Sequence, residues 1–304
     1  MVETNFIADG RVMPPRVSEW QRFRKAFFSR KIVILGLVLM GVFLLFAIFA
    51  GSIDGKTPWV APYNPYQVEL TNPLASPSWE HWLGTDTMGR DIFSRIIYGA
   101  RTALTVGLVT TGISAIIGSI LGMISAFFGR WVSMIIMRLV DTFMCIPMIL
   151  LAMLVAAVLG KGMQNVIIAL TIGSIPLYIR MMNGVALSVI QNDYILASKA
   201  MGVSNWRIIL NHIFPNAISP IIVQITLQLG FLILAEAGLS FLGIGIQQPT
   251  PAWGSMVVEG MARLRVFPIL TLAPGIAVIL AVFGFNLVGD GLRDALDPRL
   301  RGRL

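Results

Sequence analysis

The chain has 304 residues, with 23 Lys+Arg against 15 Asp+Glu for a formal net charge of +8, 12% charged residues, 56% apolar residues and a mean hydropathy of +0.79. A single soluble domain of this length cannot bury so much apolar surface, which excludes a soluble enzyme and leaves an all-α integral membrane protein whose spans each need about 20 apolar residues. The one cysteine, Cys145, excludes a disulfide framework and a multi-thiolate metal site.

Residues 1–31 are predicted to be a cytoplasmic N-terminal segment, with Arg22, Arg24, Lys25, Arg30 and Lys31 just before the first apolar run. They resemble the basic start of a signal peptide, but the run from Ile32 to Ala50 is long for one and no A-x-A site follows; it reads as a retained transmembrane anchor, span 1. Residues 51–101 form an external loop that begins with Pro58, Pro62, Pro65, Pro73 and Pro77, an extended start. From about Thr87 the pattern changes. Ile92, Phe93, Ile96 and Ile97 fall on one helical face and Arg90, Asp91, Ser94 and Arg95 on the other. This predicts an amphipathic helix on the outer surface with Asp91 and Arg95 as a minor i,i+4 ion pair.

Five further charge-poor runs complete a six-span reading: Thr102 to Gly129, Thr142 to Gly160, Gly162 to Ile179, Ile213 to Ala235 and Val266 to Gly289. Residues 102–289 are thus a five-helix core holding a cytoplasmic loop at 190–215 and an external loop at 237–265, and residues 290–304 are a cytoplasmic tail. A seventh run, Ala237 to Val258, is long enough to span, but Gly238, Gly243, Gly245, Pro249, Pro251 and Gly254 break it, and unpaired backbone in hydrocarbon is costly. It reads as a loop or re-entrant segment. With both termini cytoplasmic, sixteen Lys+Arg lie inside and seven outside, as the positive-inside tendency requires. The basic residues then read as topology determinants and lipid-headgroup contacts, not as a nucleic-acid surface.

Within the spans, Gly118 and Gly122 with Ser114 make a small-residue face that suits helix packing, in the core or at a subunit seam. Pro147, Pro176, Pro220 and Pro274 are kink candidates. Asp141 and Glu236 fall at predicted inner and outer span ends, where ionisable groups cost less, as edge or gate residues. Gln224 and Gln228, with Thr226 nearby, form a polar stripe facing protein or a pathway. His81 and His212 fall on opposite predicted sides and cannot share a metal, and no paired carboxylates lie deep in the spans.

The stretch Tyr194 to Pro215, YILASKAMGVSNWRIILNHIFP, is a helix-Gly-helix interruption between apolar spans. Ala197, Ser198, Lys199, Ala200 and Met201 precede Gly202; Ser204 is placed to cap a second helix that begins at Asn205 and carries Trp206, Ile209 and Leu210, with Arg207 and Lys199 placed to pair with acidic groups of a docking partner. From pattern alone it is a docking helix for a protein groove, or an inner-leaflet helix anchored by Trp206. Its spacing resembles the cytoplasmic loop of ATP-binding-cassette importer permeases: Glu-Ala-Ala, three residues, Gly, then Pro thirteen residues on. Gly202 and Pro215 match; Leu196-Ala197-Ser198 stands at the Glu-Ala-Ala place, without the acid. LGTDTMGRDIFSRIIYGAR (Leu83 to Arg101), LSFLGIGIQQPTPAWG (Leu239 to Gly254) and NLVGDGLRDALDPR (Asn286 to Arg299) resemble segments of the dipeptide and oligopeptide branch, in its shorter permease.

The resemblance implies a type I importer permease fold with six transmembrane helices, in a bacterial cytoplasmic (inner) membrane. It also implies the partners: a second permease subunit, identical or homologous, two cytoplasmic P-loop ATPases that bind ATP and Mg, and an external or periplasmic substrate-binding protein. No cofactor is expected in this chain. Its nearest phosphate-loop decoy, Gly51 to Thr57, is one residue short and precedes Pro58. The expected mechanism is alternating access, in which closure of the ATPases moves the Gly202 loop and reorients the helices. The rival class is a secondary transporter or channel working without ATP, whose usual signs are midplane charges and related half-sequences.

Overall fold

The computed structural model describes residues 19–52 and 59–296. The basic residues before Glu19, the decoy run beyond Ser52 and the C-terminal stretch from Asp297 lie outside the described residues. Helix α1 (Glu19–Phe28) leads into α2 (Lys31–Phe49), the predicted first span. From Trp59 an irregular segment, held by backbone bonds such as the Glu69 N–H to Met88 O at 3.1 Å and the Leu74 N–H to Asp86 O at 3.0 Å, reaches α3 (Ile92–Phe128).

Helix α3 corrects the sequence reading. The amphipathic surface helix and the second span are one continuous helix of 37 residues, about 55 Å long. Asp91 caps it, with Oδ2 accepting from the Ser94 N–H at 2.7 Å. No helix breaker lies between Ile97 and Thr102. Gly99 is tolerated because the Trp253 ring packs against it, and the Trp253 indole N–H donates to Ile96 O at 3.1 Å. The Arg101 guanidinium reaches back to the end of α2, at 2.7 Å from Ala47 O, and to Gly51 O just beyond it at 2.8 Å.

A turn at Gly129 reverses the chain into α4 (Arg130–Met144), antiparallel to α3, with Ser125 Oγ and Ser133 Oγ 3.3 Å apart. Then α5 (Met148–Leu159) departs at 86°. The predicted span Thr142 to Gly160 is therefore a bent pair. Pro147 has no N–H to donate to Phe143 O and its ring crowds the preceding turn; the twelve residues of α5 cover only about 18 Å of a hydrocarbon layer about 30 Å thick. Pro176, by contrast, sits inside the unbroken helix α6 (Met163–Ile190).

Helices α3 and α6 pack closely along the Gly118-x-x-x-Gly122 face. The α6 backbone comes so near that a Cβ at Gly122 would stand 2.6 Å from Ile179 O. This settles the small-residue face as packing within the chain. Gly122→Val is expected to destabilise the protein by about 1–3 kcal/mol through overpacking, read as a lower thermal midpoint in detergent.

After the loop described below, α9 (Phe214–Phe241) contains Pro220, and residues 242–252 are irregular before α10 (Trp253–Met261). The seventh run thus forms no span. Helix α11 (Ile269–Leu296) contains Pro274 and closes the bundle. Phe43, Ile96, Ile233, Trp253 and Phe285 share one buried cluster between α2, α3, α9, α10 and α11. At the other end of α11, α1 packs through Phe27 onto Val33 and Val288, and Arg30 pairs with Asp294 at 2.7 Å. Among the described residues five helices are long and apolar enough to cross a membrane, and the bent pair makes a sixth when counted as one.

Candidate functional site

The loop after α6 lies at the same end of the bundle as α1 and the end of α11: the first half of α9 meets the end of α11 through Leu227 on Gly289, and the end of α11 meets the start of α2 through Gly291 on Val33. Helix α7 (Asp193–Ala200) stops at Gly202, which takes φ +73°. The Val203 N–H donates to Ser198 O at 3.2 Å and the Gly202 N–H to Lys199 O at 3.0 Å, the paired bonds of a glycine-terminated helix. Helix α8 (Asn205–Ile208) follows and opens directly into a π-turn (Ile209–Ile213), which continues as α9. Pro215 explains the π-turn: without an N–H it cannot bond Asn211 O, and the helix widens by one residue there. The Asn216 side chain meets the loosened backbone, donating to His212 O at 2.6 Å.

The loop is braced from below. Ile195, Ile208, Ile209 and Ile213 are buried with Met123, Met182 and Ala217 of α3, α6 and α9. Ser198 also points inward, its hydroxyl donating to Tyr194 O at 2.7 Å. Facing outward are Ala197, Ala200, Met201, Gly202, Ser204, Asn205, Trp206, Arg207 and Pro215. Met201 is 75% and Trp206 59% exposed, joined by Leu196 and Leu210, each at 58%. Of the apolar residues expected beside Trp206 on the second helix, Leu210 is exposed but Ile209 is buried against the bundle, and the exposure of Leu196 was not expected.

Two sequence expectations change here. Ser204 occupies the cap position, but its exposed side chain makes no capping bond; only its carbonyl accepts, from the Ile208 N–H at 3.1 Å. Lys199 is already engaged within the chain, its ammonium 5.0 Å from the centroid of the Phe127 ring. Trp206 leans edge-on toward Phe128 at 6.4 Å, so both side chains tie the loop to the end of α3.

The opposite end holds a buried polar knot. Asp86 Oδ1 accepts from the N–H groups of Met88 (2.8 Å) and Arg90 (2.9 Å), and Oδ2 from Arg90 Nε at 2.6 Å, with Arg95 Nε at 3.5 Å. Arg90 also reaches Gln248 Oε1 at 2.5 Å and Glu259 at 3.4 Å, while Thr87 and Gln248 donate to Glu259. Arg95 is wholly buried and donates to Pro65 O at 2.9 Å. Asp91 accepts from Ser94 and lies 2.9 Å from His81 Nδ1. The expected Asp91–Arg95 surface pair does not exist: both groups are inside, with other partners. Two segments far apart in sequence, 83–101 and 239–259, are thereby one structural unit.

The four predicted pathway or gate residues are not brought together. Asp141 lies eleven residues into α4, close to the break, and pairs with Arg180 of α6. Glu236 is inside α9, fully buried, and accepts from Ser240 at 2.7 Å; Ser240 in turn accepts from the Ile246 N–H at 2.9 Å. That network fastens the irregular segment 242–252 and gives Glu236, five residues before the end of α9, no open surface. Gln228 is buried and Gln224 half-buried on α9.

Residues 118–302 match the family model described as binding-protein-dependent transport system inner membrane component, and residues 18–77 match the N-terminal TM domain of oligopeptide transport permease C. The chain is similar to the dipeptide transport system permease protein DppC of Alkalihalophilus pseudofirmus, 43% identical over 94% of this chain and 91% of that one. It is also similar to the glutathione transport system permease proteins GsiD of Pectobacterium atrosepticum (38%, covering 93% and 92%) and Escherichia coli O6:K15:H31 (40%, covering 93% and 90%). In fold it is similar to a chain of the inward-facing MetNI methionine ABC transporter, with TM-score 0.54 and 20% identity over 66% of this chain and 96% of that one. The chain belongs to the family of binding-protein-dependent transport system inner membrane components and is a permease subunit of an ABC importer.

Proposed function

We propose that this permease contributes half of a pore for small peptides or related solutes, and that the Gly202 loop is where cytoplasmic ATPases push on it. The observation that carries the docking assignment is the contrast within one short loop: isoleucines buried on three helices below, and Leu196, Met201, Trp206 and Leu210 exposed above. An exposed apolar set on a rigid support marks a contact surface. The brace lets a push on α7 and α8 move α3, α6 and α9 together as a rigid-body lever. Dipeptide and glutathione permeases among the relatives support a peptide-like solute, chosen in detail by an external binding protein.

In this reading the loop, α1 and the end of α11 face the cytoplasm, in a bacterial inner membrane, consistent with the basic excess on that side. A second permease completes the pore, and ATP and Mg are held by the ATPase subunits. Affinity purification of the tagged chain in mild detergent tests the assembly. Co-purification of a second permease and of P-loop ATPases, with vanadate-sensitive ATP hydrolysis, is expected. A chain that runs alone, without ATPase activity, under conditions preserving a known importer would overturn it.

A further inference from the structure

The break between α4 and α5 places polar groups where lipid would not tolerate them. Residues 141–147 are all exposed on the single chain, and beside them Asp141 and Arg180 form an ion pair with side chains 51% and 46% exposed. Their depth follows from packing. Arg180 comes just after Tyr178 and Ile179, which sit on Gly118 and Gly122 of α3. That level is about 25–30 Å along α3 from Arg101 and about 10–15 Å short of the Gly129 turn, so the pair lies within the bundle, two to three helical turns before that end. Pro147 also leaves Phe143 O without its helical donor; that carbonyl accepts instead from the N–H groups of Cys145 and, at 3.3 Å, Ile146. Ionised side chains and broken backbone at such depth occur where they are covered by protein or line water.

We propose that the face formed by residues 141–147 and Arg180 lines a water-filled pathway, where the Asp141–Arg180 pair opens to receive the ammonium and carboxylate of a zwitterionic solute. The exchange conserves charge pairing: Arg180 turns from Asp141 to the solute carboxylate, in the planar two-donor geometry guanidinium favours, and Asp141 takes the ammonium. Arg138 lies one turn earlier on α4, its carbonyl accepting from Thr142 Oγ1 at 2.9 Å, and adds positive charge to the same stretch. The solute half of this proposal rests on the peptide-importer reading; the water-lined half does not.

Cys145, the one cysteine of the chain, is exposed within this break and reports on it directly. The thiolate, which forms in water and not in hydrocarbon, is the species that attacks a methanethiosulfonate, forming a mixed disulfide and releasing methanesulfinate. In native membrane vesicles of the assembled transporter, a charged, membrane-impermeant methanethiosulfonate should modify Cys145, at rates that differ between nucleotide-free and ATP-vanadate states, with Cys145→Ser as the control. No modification in either state, with full reaction after denaturation, would overturn the water-lined face.

The exchange is tested with uptake of radiolabelled alanyl-alanine. Arg180→Gln should lower it by about tenfold or more. The double exchange Asp141→Arg with Arg180→Asp should insert and co-purify with its partners, yet stay impaired, because the solute's charges are met in the wrong order. Restored uptake in the double variant would reduce the pair to a brace and sink the exchange. Failure of the unaltered protein to import alanyl-alanine would remove both the peptide solute class and the exchange, leaving the Cys145 result to decide the pathway.

Discussion

Trp206→Glu is expected to reduce solute uptake by about thirtyfold or more while the protein still folds and inserts. The ring is exposed and rests edge-on against Phe128, so removing it costs the isolated chain little. At a docking surface, loss of a central aromatic residue typically costs about 2 kcal/mol or more, and a carboxylate in its place must be desolvated. Gly202→Asp should act on the same contact differently. At φ +73° any side chain strains the backbone, by about 1 kcal/mol, and nothing within 4 Å of a Cβ would block it sterically. The added charge therefore projects outward, from the turn that sets the angle between α7 and α8. Both variants are measured by uptake against membrane abundance. Normal uptake in both would remove the coupling role.

Asp86→Ala is expected to fail at the opposite end for a different reason, through stability. Its carboxylate is buried and accepts from two backbone N–H groups and from Arg90, with Arg95 close by. Deleting it leaves Arg95 with no carboxylate beside it and Arg90 with Glu259 and Gln248 alone, and unpairing a buried charge costs about 3–5 kcal/mol. The knot ties α3 to the segment holding Gln248 and Glu259, so a fall of about 10 °C in thermal midpoint in detergent is expected. Lower membrane abundance should accompany it. A midpoint within 2 °C or so of the parent would show the knot to be dispensable.

The apolar runs marked the helices well because a span declares itself by length and absence of charge. Their ends were harder to read. Asp91 and Arg95 have the spacing of a surface ion pair, but only tertiary contacts reveal that Ser94, His81, Pro65 and Asp86 satisfy them inside. The continuous α3 was hidden by the same charges, which look like water-facing residues until their partners are known. Pro147 and Pro176 are indistinguishable as residues; the first breaks a helix and the second does not, since neighbouring helices decide whether a kink is tolerated. The Gly202 turn was legible from glycine and spacing. The π-turn before Pro215 was legible in principle, because a missing N–H in a helical run must be accommodated.

The docking assignment is tested most directly by photo-crosslinking from Met201, replaced by a benzophenone-bearing residue in the assembled transporter, with Trp79, exposed near the other end of the bundle, as the comparison. Capture of an ATPase subunit from position 201 and not from position 79 is the predicted result. Capture of lipid alone from position 201, in a complex that still contains the ATPases, would contradict it and make the loop an inner-leaflet anchor.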